Sequence, residues 1–281
     1  MLECDLHLLV VMKSTLMVTS LVVAFAFACS SSDEPKVDPV VDPSPTDPAK
    51  ETSAAPASAA SDGGADATTP STDASPNEGG TSAGDVTAAQ LVAITTACAK
   101  KLSNAPYAKD EGSAANIDVC GLTGAVFWKA DLDVDCDGKS STICNKGTDP
   151  SYLPETAATD SKGAPLDASK LPYVVVPLAS SRFNYQNAGL RLGNVVAVVY
   201  QGKIEYGVIG DLGPASIIGE ASYAMAKSLG INPNPANGGT DSGVLYIAFT
   251  GTTAKIAPIE DHAKAVTTGK ALAQKLVTEN K

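Results

Sequence analysis

Two acidic side chains nine positions apart, Asp211 and Glu220, offer the most definite chemistry in this sequence. In the stretch 204–231, IEYGVIGDLGPASIIGEASYAMAKSLGI, a β-rich run leads into Gly210-Asp211 and a Gly-Pro turn follows. Glu220 then stands after a second apolar run, at the expected start of a helix. A carboxylic acid that gives a proton and a carboxylate that takes one, facing the same bond, are what acid–base hydrolysis requires. Ile217 and Ile218 precede Glu220, and desolvation favours the neutral form of an acid, so Glu220 is the expected proton donor and Asp211 the acceptor. The exchanged roles stay open. So does a plainer reading, with Asp211 a loop acid and Glu220 an acid stabilised by a helix N-terminus.

A second acidic group, Asp131, Asp133, Asp135 and Asp137, ends at Gly138. Its later part matches the start of a calcium loop, but the twelfth position from Asp133 is Cys144 instead of Glu, which argues against an EF-hand. No metal or cofactor is expected, with calcium at this run kept as the lesser alternative. The run is either a solvated acidic loop or a set of anionic groups for a cationic ligand, and one alternative draws the base from near Asp135, with Asp211 only orienting. His7 precedes the expected start at Met12, and His262 lies among Glu, Asp and Lys as a solvated helix residue. With no nucleophile elbow anywhere, esterase and protease chemistry is set aside. Trp128, Tyr200 and Tyr206 are candidates for stacking on a flat ligand, or for the core.

The elements that must position these groups are short and β-rich. Asp85 is an expected N-cap, and Leu91, Ile94, Cys98 and Leu102 recur at helical spacing after it. Strands are expected over Ala125–Trp128, Tyr173–Val176, Val195–Tyr200, Ile204–Ile209 and Val244–Phe249, with Gln201-Gly202 as a hairpin turn. Ser222–Leu229 is Ala-rich and helical with Gly230 as its stop, and Glu260–Thr278 reads as a closing helix despite Gly269.

Composition divides the chain into three. Residues 1–29 hold a basic start at Lys13, an apolar run from Leu16 to Ala28 and a small-x-small site at Ala26-Phe27-Ala28, the pattern of an export signal. Cys29 follows at once, where a bacterial lipoprotein would carry its lipid; plain cleavage and release is the alternative. Residues 30–87 are Ser, Pro, Ala and Asp in the main and cannot bury enough apolar surface to fold, so a disordered linker is expected. Residues 88–281 carry nearly all the large apolar side chains after the export signal and are expected to form one folded domain, the catalytic one. The net charge of −11 is concentrated in the linker, with 11 acids against 2 bases, whereas residues 88–281 hold 18 against 17. There is no basic stripe for nucleic acid. Cys98, Cys120, Cys136 and Cys144 are an even set in an exported chain and read as two disulfides, with proximity favouring Cys98–Cys120 and Cys136–Cys144. An extracellular protein is expected, secreted or lipid-anchored at the outer surface, touching a membrane only through that anchor.

The segment around Asp211 and Glu220 resembles family 75 of the glycoside hydrolases, the fungal-type chitosanases, in which GD followed nine residues later by GEAS carries the essential Asp and Glu. DLDVDCDG at 131–138, LDASKLPYVVVP at 166–177, VVAVVYQGKIEYGVIGD at 195–211 and DSGVLYIAFTG at 241–251 are similar to family segments in the family's order. Together they span most of residues 95–255. The resemblance implies an endo-chitosanase that hydrolyses β-1,4 bonds of chitosan or chito-oligosaccharides with inversion, its two carboxyls about 6.5–9.5 Å apart. Glucosamine units are ammonium ions near neutral pH, so Asp131, Asp133, Asp135, Asp137 and Asp241 are expected to bind them. GDLGP followed by a short strand and an Ala-rich helix also resembles the double-psi barrels of expansins, rare lipoprotein A and family 45 endoglucanases. That implies a mainly β, α+β fold with a six-stranded double-psi core and an open groove. It keeps two rival readings, a non-catalytic cell-surface glycan-binding module and a peptidoglycan-cleaving relative of rare lipoprotein A. A monomer is expected.

Overall fold

A computed structural model describes residues 84–281. The expected export signal, the lipid site at Cys29 and nearly all of the linker lie outside the described residues. Six strands close into a barrel in the order β2 (Ala125–Asp135), β6 (Glu220–Ser222), β3 (Tyr173–Pro177), β5 (Lys203–Gly213), β4 (Val195–Tyr200) and β7 (Thr240–Phe249), with β7 pairing back onto β2. A short β1 (Cys120–Leu122) adds to the outer edge of β2. The pairs β2–β6 and β3–β5 run parallel, while the others around the ring are antiparallel. Three helices flank the barrel: α1 (Ala88–Ile94), α2 (Tyr223–Leu229) and α3 (His262–Glu279). The expected barrel of mainly β, α+β class is the fold observed.

Continuous apolar runs such as Val195–Tyr200 arise because both faces of the strands are covered. Ala125 and Phe127 of β2, with Val195, Ala197 and Val199 of β4, share a core with Leu91 of α1 and with Ala273, Leu276 and Val277 of α3. The alternate residues Val126, Trp128, Leu132, Val196 and Val198 enter a second core with Met225 and Leu229 of α2. Trp128 stacks on Tyr246 with ring centroids 5.2 Å apart, and Tyr206 is also buried, so these aromatic rings belong to the core and not to a ligand platform. Tyr200 ties its hydroxyl to Thr240, 3.3 Å away.

Gln201-Gly202 forms the two-residue β4–β5 turn with both φ angles positive, at 46° and 83°, the backbone such turns need. Gly230 ends α2 at φ 80°. Gly269 in α3 has a packing reason: a Cβ there would sit 2.3 Å from the Tyr206 ring. Both disulfides form as proximity suggested, Cys98–Cys120 and Cys136–Cys144.

Four expectations need correction. The first helix is capped by Thr87, not Asp85, in a capping box with Gln90, and Asp85 instead pairs with Lys270 of α3 at 2.8 Å. That helix stops at Ile94, with Thr95 as its C-cap, so Cys98 and Leu102 lie beyond it, and Cys98 is tied to Cys120 of β1. Glu220 does not begin a helix; it begins β6, and α2 starts only after Ser222, whose hydroxyl caps the Met225 N–H. His262 is not freely solvated, since its Nε2 lies 2.9 Å from Glu205 and 3.0 Å from the Tyr206 carbonyl.

Candidate active site

Strand β5 does not end at Ile209. It continues to Gly213 through a bulge: Val174 pairs with Ile209 and Val175 with Asp211, which leaves Gly210 as the extra residue. A Cβ at Gly210 would lie 2.7 Å from Tyr173, so glycine is required there. Bulges re-aim the side chain that follows, and this one turns Asp211 into the groove. Asp211 is 7% exposed, and its Oδ1 accepts the N–H groups of Ala157 and Leu212, each at 2.7 Å.

Glu220 reaches the same groove from β6, which lies between β2 and β3. Glu220 pairs with Asp133 and Ala221 with Val174, so Glu220 and Asp211 flank Val175 from opposite sides of β3. Two strand spacings put their backbones about 10 Å apart. The glutamate extends back across that gap, since a Cβ on Gly213 would meet Glu220 Oε2 at 2.6 Å.

The two acids share a groove of about 530 Å3 with Asp133, Asp135, Asp137 and Asp149. Val175, Leu153, Leu178 and the loop from Asn234 to Gly238 are among its other walls, and no Lys, Arg, His or aromatic residue among the described residues lines it. On the far side of that loop a hollow of about 460 Å3 is lined by Tyr223, Ile143 and Asn232. The loop from Asp137 to Leu153 is fixed by the Cys136–Cys144 disulfide and by the hydroxyls of Tyr173 and Tyr152, which donate to the Asp137 and Gly138 carbonyls. Asp137 accepts the Leu153 N–H at 2.6 Å.

So many acids in one partly dry space raise one another's pKa values. Burial, then the charges of Asp133, Asp137, Asp211 and Asp131, push Glu220 up to about 7. Burial also raises Asp211, but the Ala157 and Leu212 N–H groups pull the other way. Asp137 rises to about 6, chiefly by burial and against the Leu153 N–H, with the charges of Asp211 and Asp149 adding to the rise. Burial drives Asp135 well above the carboxylate range. Glu220 receives no hydrogen bond from a described residue, whereas Asp211 receives two, so the proton resides more readily on the glutamate.

Of the residues expected to meet substrate amines, Asp133, Asp135 and Asp137 line the groove. Asp131 is buried beneath it at 2% exposure. Asp241 stands outside the lining because a bulge between Val244 and Thr240 throws it into solvent, with its side chain 99% exposed and 3.4 Å from Lys109. Asp149 was not foreseen; it follows the disulfide loop and accepts the Ser151 N–H at 2.8 Å, a turn signal that says nothing of the groove.

A closed β-barrel with two acids across one strand, in a cleft of further acids, has the architecture of a carboxylate-pair hydrolase. The family described as "Fungal chitosanase of glycosyl hydrolase group 75" matches residues 132–278, over half of the chain. The chain belongs to group 75 of the glycosyl hydrolases. It is 36% identical over 156 residues to "Endo-chitosanase B" of Aspergillus oryzae, covering 50% of this chain and 65% of that protein. To "Endo-chitosanase" of Aspergillus fumigatus it is 34% identical over 178 residues, covering 56% and 75%. The match thus spans just under two thirds of the Aspergillus oryzae protein. Among solved structures, "Streptomyces papain inhibitor (SPI)" aligns at 18% identity and a TM-score of 0.29, covering 47% of this chain and 100% of the inhibitor.

Proposed function

We propose that this protein is an endo-chitosanase that hydrolyses the β-1,4 bonds of chitosan outside the cell, using Glu220 as general acid and Asp211 as general base. The observation that carries this reading is the placement of the two acids on opposite sides of β3, inside a groove lined by four more carboxylates and no cation. Ammonium-bearing sugars would pair with the ionised carboxylates of the lining and would themselves draw its raised acids towards ionisation.

Glu220, held near neutrality by burial and by its acidic neighbours, carries the proton for the leaving glycosidic oxygen. Asp211, kept more acidic by two N–H donors, accepts a proton from a water on the opposite face of the ring. Inversion is the stereochemistry assigned, which requires the two carboxyls to stand about 6.5–9.5 Å apart with that water between them. Asp133, Asp135, Asp137 and Asp149 are assigned to the amines of flanking sugars. The names of the Aspergillus relatives agree with this substrate. Two disulfides in the folded domain agree with an oxidising, extracellular setting.

Reducing-end assays on partly deacetylated chitosan test it, with products from a defined glucosamine oligomer formed in 18O water and read by mass spectrometry. Turnover lost in Glu220→Gln and Asp211→Asn, with 18O entering at the cleaved anomeric carbon, is the expected result. Binding without release of sugars by the intact protein would favour a glycan-binding module instead, and anhydro products from muropeptides would favour peptidoglycan cleavage.

A further inference from the structure

Beneath Glu220 lies a second acidic constellation, which shares only Asp133 with the groove lining. Asp131 on β2, Asp133 two residues on, and Asp110 from a loop bring three carboxylate oxygens within 4.8 Å of one another. Asp131 is 98% buried, since its relative exposure is only 2%. Its Oδ1 is out of contact with solvent, and no donor among the described residues reaches it. Gly219, the residue before Glu220, roofs it so closely that a Cβ there would stand 2.1 Å from this oxygen. The hydroxyl of Tyr246 donates to the Asp131 carbonyl at 2.7 Å, which fixes the backbone from the other side.

An acid so placed is costly to ionise without a counter-charge. The nearest cation is Lys109 at the rim of the cluster: its Nζ is 3.5 Å from Asp110 and 3.4 Å from Asp241, and it forms no ion pair with Asp131 or Asp133. One shared ammonium thus stands against three carboxylates, and the Asp131 Oδ1 is left without a donor.

We propose that Asp110, Asp131 and Asp133 form a binding site for a hard divalent cation of calcium type, which ties the loop at Asp110 to β2 below the Gly219-Glu220 backbone. Three carboxylate oxygens within 4.8 Å of one another can share one ion, and calcium, with oxygen ligands at about 2.3–2.6 Å and flexible geometry, suits carboxylates from a loop and a strand better than magnesium, which demands a near-ideal octahedron and keeps its waters. Three carboxylates supply part of a shell of six to eight oxygens, and backbone carbonyls and water complete it. This is not the calcium loop that the run from Asp133 to Asp137 suggests, because Asp135 and Asp137 turn into the groove and only Asp133 contributes. The site does not rest on the glycosidase reading, although Asp133 borders both and an ion here would relieve part of the charge crowding at Glu220.

The test uses the full chain, stripped with EDTA and desalted, and terbium as the probe. Tyr246 touches the Asp131 backbone, and with Trp128 stacked on it provides a sensitiser next to the ion. Sensitised terbium emission that calcium competes away, together with a melting temperature that rises with added calcium, is the expected result. Asp110→Asn, at a loop residue outside the core, should weaken binding by about tenfold or more, and Asp131→Asn should do so if it folds. Asp137→Asn and Asp149→Asn in the groove should leave it unchanged. Absence of both signals in the wild type overturns the proposal. So does binding that survives Asp110→Asn, or binding that disappears with Asp137→Asn.

Discussion

Replacing Glu220 by Gln should make this protein more stable at pH 8 and leave its stability nearly unchanged at pH 4. The folded glutamate binds its proton with a pKa of about 7, against 4.5 for the free side chain. Between those values the native state holds more protons than the unfolded chain, so stability falls as pH rises. Below 4.5 the acid is neutral in both states and the wild type bears no penalty. Above 7 it is ionised in both, and the full penalty of charging a half-buried group among four other acids is present. The gap of about 2.5 pH units corresponds to about 3 kcal/mol. Partial solvent access to the carboxyl places the measurable effect at or below that figure. For a folded unit of this size, it amounts to a rise in Tm of up to roughly 10 °C for the variant at pH 8. Thermal melts of both proteins from pH 4 to 8, in a chelating buffer so that no metal ion compensates the acids, measure it directly. If the two Tm curves run parallel across that range, Glu220 is not held near neutrality, and its assignment as proton donor loses its physical basis.

The same proton governs catalysis: chitosan hydrolysis should decline as pH rises through about 7, where Glu220 loses its proton, and initial rates across a pH series would show it. Glu220→Gln and Asp211→Asn should each lower kcat by about 100-fold or more, with folding judged by near-ultraviolet circular dichroism. Removing the Cys136–Cys144 link with two serines should lower stability by about 2–3 kcal/mol, the loop-closure value for so short a ring; denaturant titration gives the number. KM should rise in that variant, because Asp135 and Asp137 flank the bond. Gly269→Ala should destabilise by about 1–3 kcal/mol, although alanine is the better helix former, because the methyl would strike the Tyr206 ring and overpacking outweighs propensity.

Much of the barrel was legible from local pattern. Runs such as Val195–Tyr200 could only be strands buried on both faces, and Gln201-Gly202 could hardly be anything but a tight turn. Strand β6 could not be read: Glu220–Ser222 is three residues long with no alternation of its own, and it is extended because β2 and β3 both pair with it. The reach of β5 past Gly210 was hidden for the same reason, since the bulge is a matter of register with β3 and of room beside Tyr173. Asp211 and Glu220 stood out in the sequence, and the fold brings them to one groove. Asp110, Asp131 and Asp149 owe their positions to contacts distant in sequence, which no spacing rule records. Trp128 and Tyr206 show the converse: an aromatic side chain satisfies a sugar face and a packed interior equally well, and only the closed barrel decides between them.

The groove lining carries no flat ring and no cation. Sugar-binding clefts that grip by stacking hold each residue at a fixed step, whereas a trough of carboxylates presents a smoother negative potential, which deepens as its acids ionise. A polycation in such a trough is captured from a distance and shifts along it at little cost. Its capture range is the Debye length, about 8 Å at physiological ionic strength and about 3 Å in molar salt. Brine should therefore slow the arrival of long chains more than it slows bond cleavage once they are seated.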